Sequence, residues 1–124
     1  MAELELTRVM MPENGPMRGY AWLPTRRHVI ELHDLTDAEG AALMRDLRRV
    51  SAAIAGATAA VKLNYEIHGN TVPHLHVHVF PRYVGDPFEN GPIDPRTVSR
   101  PVYADGEHAV LTRRVRELLS EHVP

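Results

Sequence analysis

Apolar and polar positions alternate in several short stretches of the chain and recur with helical spacing in two longer ones. Residues 4–11 read as a short strand, ended by the turn-forming run Pro12-Glu13-Asn14-Gly15-Pro16. Tyr20-Ala21-Trp22-Leu23 reads as a second strand stopped by Pro24, and residues 29–32 as either a third strand or a loop. Thr36 with Glu39 three residues on predicts a helix start, because each side chain can satisfy a free amide of the first turn. Leu43, Met44, Leu47, Val50 and Ile54 then share one face, with Arg45, Asp46, Arg48 and Arg49 turned away, and Gly56 and Thr58 set the end nearby.

From Val61 to Ile67, the residues Leu63, Tyr65 and Ile67 alternate with Lys62, Asn64 and Glu66, the pattern of a half-buried strand. His68-Gly69-Asn70 supplies a turn and residues 75–80 the next strand, so the two are expected as an antiparallel hairpin. A loop rich in Gly, Pro and Asp follows over 85–104. A last helix over about 106–121 carries Val110, Leu111, Val115, Leu118 and Leu119 on its apolar side. The expected architecture is one α+β domain over residues 1–124, a mainly antiparallel sheet of about five strands with helices on one face.

Composition narrows the chemistry. With 124 residues, 44% apolar and 24% charged, the chain can fold around a core of its own. The absence of cysteine excludes disulfides, thiolate zinc sites, iron–sulfur clusters and a thiol nucleophile. Fourteen basic against sixteen acidic residues give a formal charge of −2, which argues against a broad nucleic-acid footprint. No apolar run reaches membrane-spanning length and the first residues are acidic, so the expected location is the cytoplasm.

Histidine stands out, with eight residues, three of them in His74-Leu75-His76-Val77-His78. On a strand, His74, His76 and His78 would share one face and Leu75, Val77 and Val79 the other. A row of imidazoles there has three readings. It is a polar solvent face; or a metal site, which needs a further ligand because positions four apart on a strand are separated by about 13 Å; or a nucleophile beside phosphate-binding groups. In the last, a neutral imidazole attacks phosphorus while its neighbour donates to a phosphoryl oxygen. Crowding opposes charging all the rings at once. The Thr71 hydroxyl, the Asn64 amide and the backbone amides after Gly69 are candidates for the other oxygens.

The segment Pro73-His74-Leu75-His76-Val77-His78-Val79-Phe80 resembles the signature of the histidine triad family, and the likeness extends over Asn64 to Val72, into Pro81-Arg82 and back to Arg27-His28. Its ending resembles the dinucleoside-polyphosphate hydrolase branch. The resemblance implies attack by His76 on the α-phosphorus of a nucleotide derivative, a nucleotidyl-histidine intermediate and release of a nucleoside monophosphate by water. It also implies His78 as donor to the phosphate, His74 near the nucleophile's other ring nitrogen, Asn64 and Thr71 as phosphate-binding side chains, Asn70 at the bridging oxygen, no cofactor or metal in the chemical step, and a homodimer. Arg82 is a candidate for a distal phosphate. Tyr20 stands where such proteins often carry a further histidine, and a tyrosine is a poor proton shuttle near neutral pH. Two alternatives remain at this stage, a nucleotide-binding or regulatory module with weak turnover and a histidine-rich metal-binding protein. His28 and His33 have no partner visible in sequence and read as structural or surface residues, His68 sits at a turn near the triad and reads as exposed, and Trp22 is expected in the core.

Overall fold

The structure is a computed structural model that describes residues 1–121. Its elements are β1 (Ala2–Glu3), β2 (Arg8–Val9), β3 (Ala21–Pro24), α1 (Asp37–Ala57), β4 (Lys62–Glu66), β5 (His76–Arg82) and α2 (Glu107–Glu121), with short 3-10 turns at Leu32–Asp34 and Pro95–Thr97. Strands β3, β5 and β4 form an antiparallel sheet with β5 in the middle, while β1 and β2 form a separate hairpin. Single bridges from Thr7 to Thr25 and from Met10 to Trp22 tie that hairpin to β3. The expected α+β class is therefore found, but in place of one sheet of about five strands there is a three-stranded sheet and a two-stranded hairpin.

Helix α1 begins as its sequence dictates: the Thr36 hydroxyl accepts from the Glu39 amide at 3.1 Å and the Glu39 carboxylate accepts from the Thr36 amide at 3.0 Å. It ends at Ala57, before the extended Thr58. Its buried face packs under the sheet, where Ala42 and Leu43 meet Val77, and Val50 and Ile54 meet Val79 and Leu63. Leu111, Val115 and Leu119 of α2 close the same core, whereas Val110, expected there, is exposed. Tyr65 lies toward α1 but stays half exposed, its hydroxyl 2.7 Å from that of Ser51, and Ile67 is exposed beyond the strand end.

The strand expected over 4–11 is instead two short strands flanking a bend. Leu4 and Leu6 are both buried, and the wholly buried Asp46 of α1 explains the break. Its Oδ2 accepts from the amides of Leu6 and Thr7 at 2.8 and 2.9 Å and from the Thr7 hydroxyl at 2.9 Å. A carboxylate that satisfies two consecutive amides removes them from any ladder. Residues 29–32 are not a strand: Val29 gives its carbonyl to the Leu75 amide, and the chain then turns into the 3-10 segment. Gly19 holds a backbone φ of +80°, and its amide donates to the buried Tyr103 hydroxyl at 2.8 Å. This bend feeds Tyr20 onto the sheet face opposite α1.

Candidate active site

Residues directly opposed in an antiparallel pair share a face. The register sets Trp22 and Glu66 opposite His78, Pro24 opposite His76 and Asn64 opposite Phe80. The face away from α1 therefore carries His76 and His78 between Trp22 and Glu66, as the alternation of β5 predicts. Trp22, expected in the core, lies half-buried on this face at the margin of the Tyr20–Phe80 cluster and meets the His76 ring edge-on, with 5.8 Å between centroids.

His74 departs from the expected row. Strand β5 begins at His76, because the His74 amide closes a turn onto Val72 and Leu75 bonds to the 25–29 segment. The His74 ring turns toward that segment. Its Nε2 donates to the Thr25 carbonyl at 2.7 Å, and its Nδ1 is 2.9 Å from Nδ1 of His28. With the His74 proton on Nε2, His28 is the donor of that pair, a partnership invisible in sequence.

The contribution of His74 to His76 is its carbonyl oxygen, 2.6 Å from Nδ1 of His76. A carbonyl only accepts, so Nδ1 carries the proton of the neutral ring and Nε2 keeps its lone pair. His78 lies 4.9 Å from His76 between centroids, at 78°. Burial, with the neighbouring His76 and His68, holds the His78 ring below the ordinary imidazole pKa, against the opposing pull of Glu66. The Tyr20 hydroxyl is 2.8 Å from Nδ1 of His78, and burial, with the nearby Glu66, pushes its own pKa up to about 12. Tyr20 thus retains its proton across the physiological range and can donate to Nδ1, an arrangement that puts the His78 proton on Nε2. In that arrangement one ring presents a lone pair and its neighbour an N–H.

His76 and His78 line a cleft of about 310 Å³ with His68, Gly69, Asn70, Thr71 and Val72. Gly69 has φ of +85°, which suits glycine and turns the loop over the histidines. Among the described residues, the amides of Asn70, Thr71 and Val72 donate to no protein acceptor, as a phosphate cradle requires. A second cleft of about 550 Å³ adjoins at His78 and reaches Tyr20, Phe80, Ile93 and Arg96. No group of three or more His, Asp or Glu side chains is arranged to hold a metal ion among the described residues.

The other two expected residues lie elsewhere. Asn64 and Arg82 line a neighbouring cavity of about 670 Å³ that meets the second cleft at Glu66 and Pro92. Arg82 is buried with all five N–H donors engaged. Its guanidinium binds both oxygens of Asp86 at 3.0 Å, the Gly91 and Phe88 carbonyls at 2.6 Å and the Asn64 side-chain oxygen at 2.8 Å. No donor remains for a distal phosphate, which corrects that expectation. Sequence reading also left Glu66 and His68 out of the site. Their nearness follows from the hairpin register, a signal available once Glu66 is set against His78.

The HIT domain family profile matches residues 2–85. Over 74 residues, 55% of this chain and 38% of the relative, the chain is 36% identical to the AP-4-A phosphorylase of Mycobacterium tuberculosis. It is 36% identical over 77 residues to the asymmetrical bis(5'-nucleosyl)-tetraphosphatase of Schizosaccharomyces pombe, 58% of this chain and 42% of that protein. The matched stretches thus span about two-fifths of these relatives. Among solved structures, a histidine triad protein of Bradyrhizobium japonicum superposes with a TM-score of 0.77 at 30% identity, covering 99% of this chain and 88% of that one. One from Sinorhizobium meliloti does so at 0.80 and 30%, covering 94% and 85%. Since the profile takes in the whole triad strand and well over half of the sequence, the chain belongs to the HIT domain family.

Proposed function

We propose that the protein is a nucleotide hydrolase that cleaves at the α-phosphate of a nucleoside 5'-phosphate derivative through a nucleotidyl-histidine intermediate on His76. Dinucleoside polyphosphates are the favoured substrates and phosphoramidates the second choice. The observation that carries the reading is the His76 tautomer, held with its lone pair on Nε2 by the His74 carbonyl, beside a His78 ring whose Nδ1 meets the Tyr20 hydroxyl. In the proposed reaction Nε2 of His76 attacks phosphorus, the His78 N–H and the free amides of the Asn70–Val72 loop receive the charge of the phosphoryl oxygens, and the Thr71 hydroxyl adds a further donor. Asn70 faces the oxygen that links the α-phosphate to the leaving group. Asn64, bonded to Arg82, supports this site from the neighbouring cavity. The relatives' names, one a phosphorylase and one a tetraphosphatase, support the substrate class.

The residues given these roles need no cofactor for the chemical step. The outer edge of β4 has no strand partner among the described residues, and Val61, Tyr65, Ile67 and Val84 are exposed near it. That edge supports a homodimer whose sheets join there.

The test is chromatography of products from a panel of dinucleoside polyphosphates and a phosphoramidate in excess EDTA, with and without inorganic phosphate. Release of a nucleoside monophosphate in both conditions is the expected result. A nucleoside diphosphate formed only with phosphate would make the enzyme a transferase. Binding without any release would make it a nucleotide-binding module, and loss of release in EDTA would revive the metal reading.

Tyr20 offers a sharper check on the tautomer argument. Tyr20→Phe removes the donor to His78 while keeping the ring that packs 5.1 Å from Phe80. One hydrogen bond of about 1–1.5 kcal/mol corresponds to a roughly tenfold lower kcat. KM should change little, and nitrogen chemical shifts of His78 should show the proton spreading to Nδ1. An unchanged kcat would remove Tyr20 from the mechanism.

A further inference from the structure

Glu66 and His68 have no part in the attack or in phosphate binding as described, yet both border the triad. A carboxylate next to an anionic substrate opposes binding, so its presence there asks for a reason. Glu66 is opposed to His78 in the ladder, and its side chain is only 26% exposed. Its Oε1 accepts from Nε2 of His68 at 2.7 Å. A carboxylate only accepts, so the Nε2 proton is fixed by this bond and Nδ1 is the atom left to exchange protons. Nδ1 has no other protein partner among the described residues. The His68 ring lies 6.1 Å from that of His78. It lines both clefts that meet at the triad, one with His76, Asn70 and Thr71 and the other with Tyr20 and Phe80. A surface His–Glu pair would be an ordinary solvated contact of little consequence. The His68 side chain of this pair is also exposed, at 55%, but it lines the cleft that holds His76 and His78.

An in-line displacement by His76 puts the leaving group, and later the attacking water, on the far side of phosphorus from that ring. We propose that His68, oriented by Glu66, is the acid–base group of that far side; the proposal rests on the nucleotidyl-transfer reading above. In the first step, the Nε2 lone pair of His76 forms the N–P bond while the bond to the leaving group breaks. Its electron pair goes to the leaving atom, which takes the Nδ1 proton of the His68 imidazolium. In the second step, a water oxygen forms the new P–O bond, the N–P bond breaks and returns its pair to His76, and Nδ1 of His68 takes the water proton. His68 ends the cycle protonated, as it began, and Glu66 acts as a positioning residue.

The experiment compares the wild type with His68→Gln and Glu66→Gln on two adenosine 5'-phosphate derivatives. One is the 4-nitrophenyl ester, whose leaving group departs as a stable anion; the other is the benzylamine phosphoramidate, whose amine must be protonated to leave. For His68→Gln, kcat/KM on the amidate is expected to fall about 100-fold, with a loss at least tenfold smaller on the ester. On the ester, kcat falls and a burst of one nitrophenolate per site appears, because the nucleotidyl enzyme accumulates when water is no longer deprotonated. Glu66→Gln shows the same pattern with a smaller loss. Equal losses on both substrates, no loss on the amidate, or a wild type that cleaves the ester but never the amidate would each overturn the proposal while leaving the His76 mechanism standing. If the wild type cleaves neither compound, or if His76→Ala still cleaves them, it is the nucleotidyl-transfer reading that falls, and every variant then behaves alike.

Discussion

His76→Ala is expected to lower nucleoside monophosphate release on the order of 10⁴-fold or more, the scale seen when an enzyme loses its nucleophile. Nucleotide affinity, measured by calorimetry, should stay within a few-fold, because the His78 ring and the loop amides remain. The half-buried His76 leaves a small polar gap rather than a hole in the core, since the sheet's apolar packing comes from Val77 and Val79. Quenching the wild type in alkaline denaturant with substrate labelled at the α-phosphate should trap label on protein, in a bond stable to base and labile to acid, as a phosphorus–nitrogen bond is. The variant should trap none. Release that persists in His76→Ala would overturn the covalent mechanism outright. Loss of trapping with retained release would mean that water attacks directly, with the histidines serving only as donors.

Much of this site was legible because two kinds of local information agree. The strand period of β5 places His76 and His78 together, and the helix period with the Thr36–Glu39 box places α1 beneath the opposite face. What the sequence concealed depends on contacts between distant segments. The alternation Leu75-His76-Val77 reads as strand through His74, but residues 74–75 bond to Thr25 and Val29 instead. His74 therefore acts through its carbonyl rather than in a row of rings. The bend at Leu6–Thr7 has no sequence sign at all, since its cause is Asp46, about 40 residues on. Tyr20 was recognisable as an oddity, yet only the bend at Gly19 shows that its hydroxyl lands on His78. Glu66 and His68 look like turn-edge polar residues until the register sets Glu66 against His78.

Arg82 carries the second large effect, and its direction separates two roles. As a phosphate ligand, its loss would raise KM for long polyphosphates and leave stability alone. As the hub of the 85–91 loop, its loss strips the partner from an Asp86 carboxylate whose side chain is only 5% exposed, and from the Gly91 and Phe88 carbonyls. Breaking a buried pair by removing one member costs about 3–5 kcal/mol. For a chain of this size that corresponds to a Tm lower by roughly 10–20 °C. Arg82→Met keeps the aliphatic stem and isolates the loss of the guanidinium. The acid limb supplies a second readout. Hydrogen bonds from Arg82 hold the Asp86 carboxyl down at about 2 against an ordinary 3.8. A carboxylate depressed in the folded state contributes stability above its unfolded value, which is lost as pH falls through the folded one. Allowing for solvent screening, about 1–2 kcal/mol should therefore fade between pH 4 and 2 in the wild type. The variant should lack that loss, and its 85–91 amides should exchange hydrogen faster. The loop matters to the site because Phe88 and Ile93 pack with Tyr20 and Phe80, so its loosening reaches the hydroxyl that orients His78. A variant with wild-type Tm and a raised KM for polyphosphates would return Arg82 to the substrate.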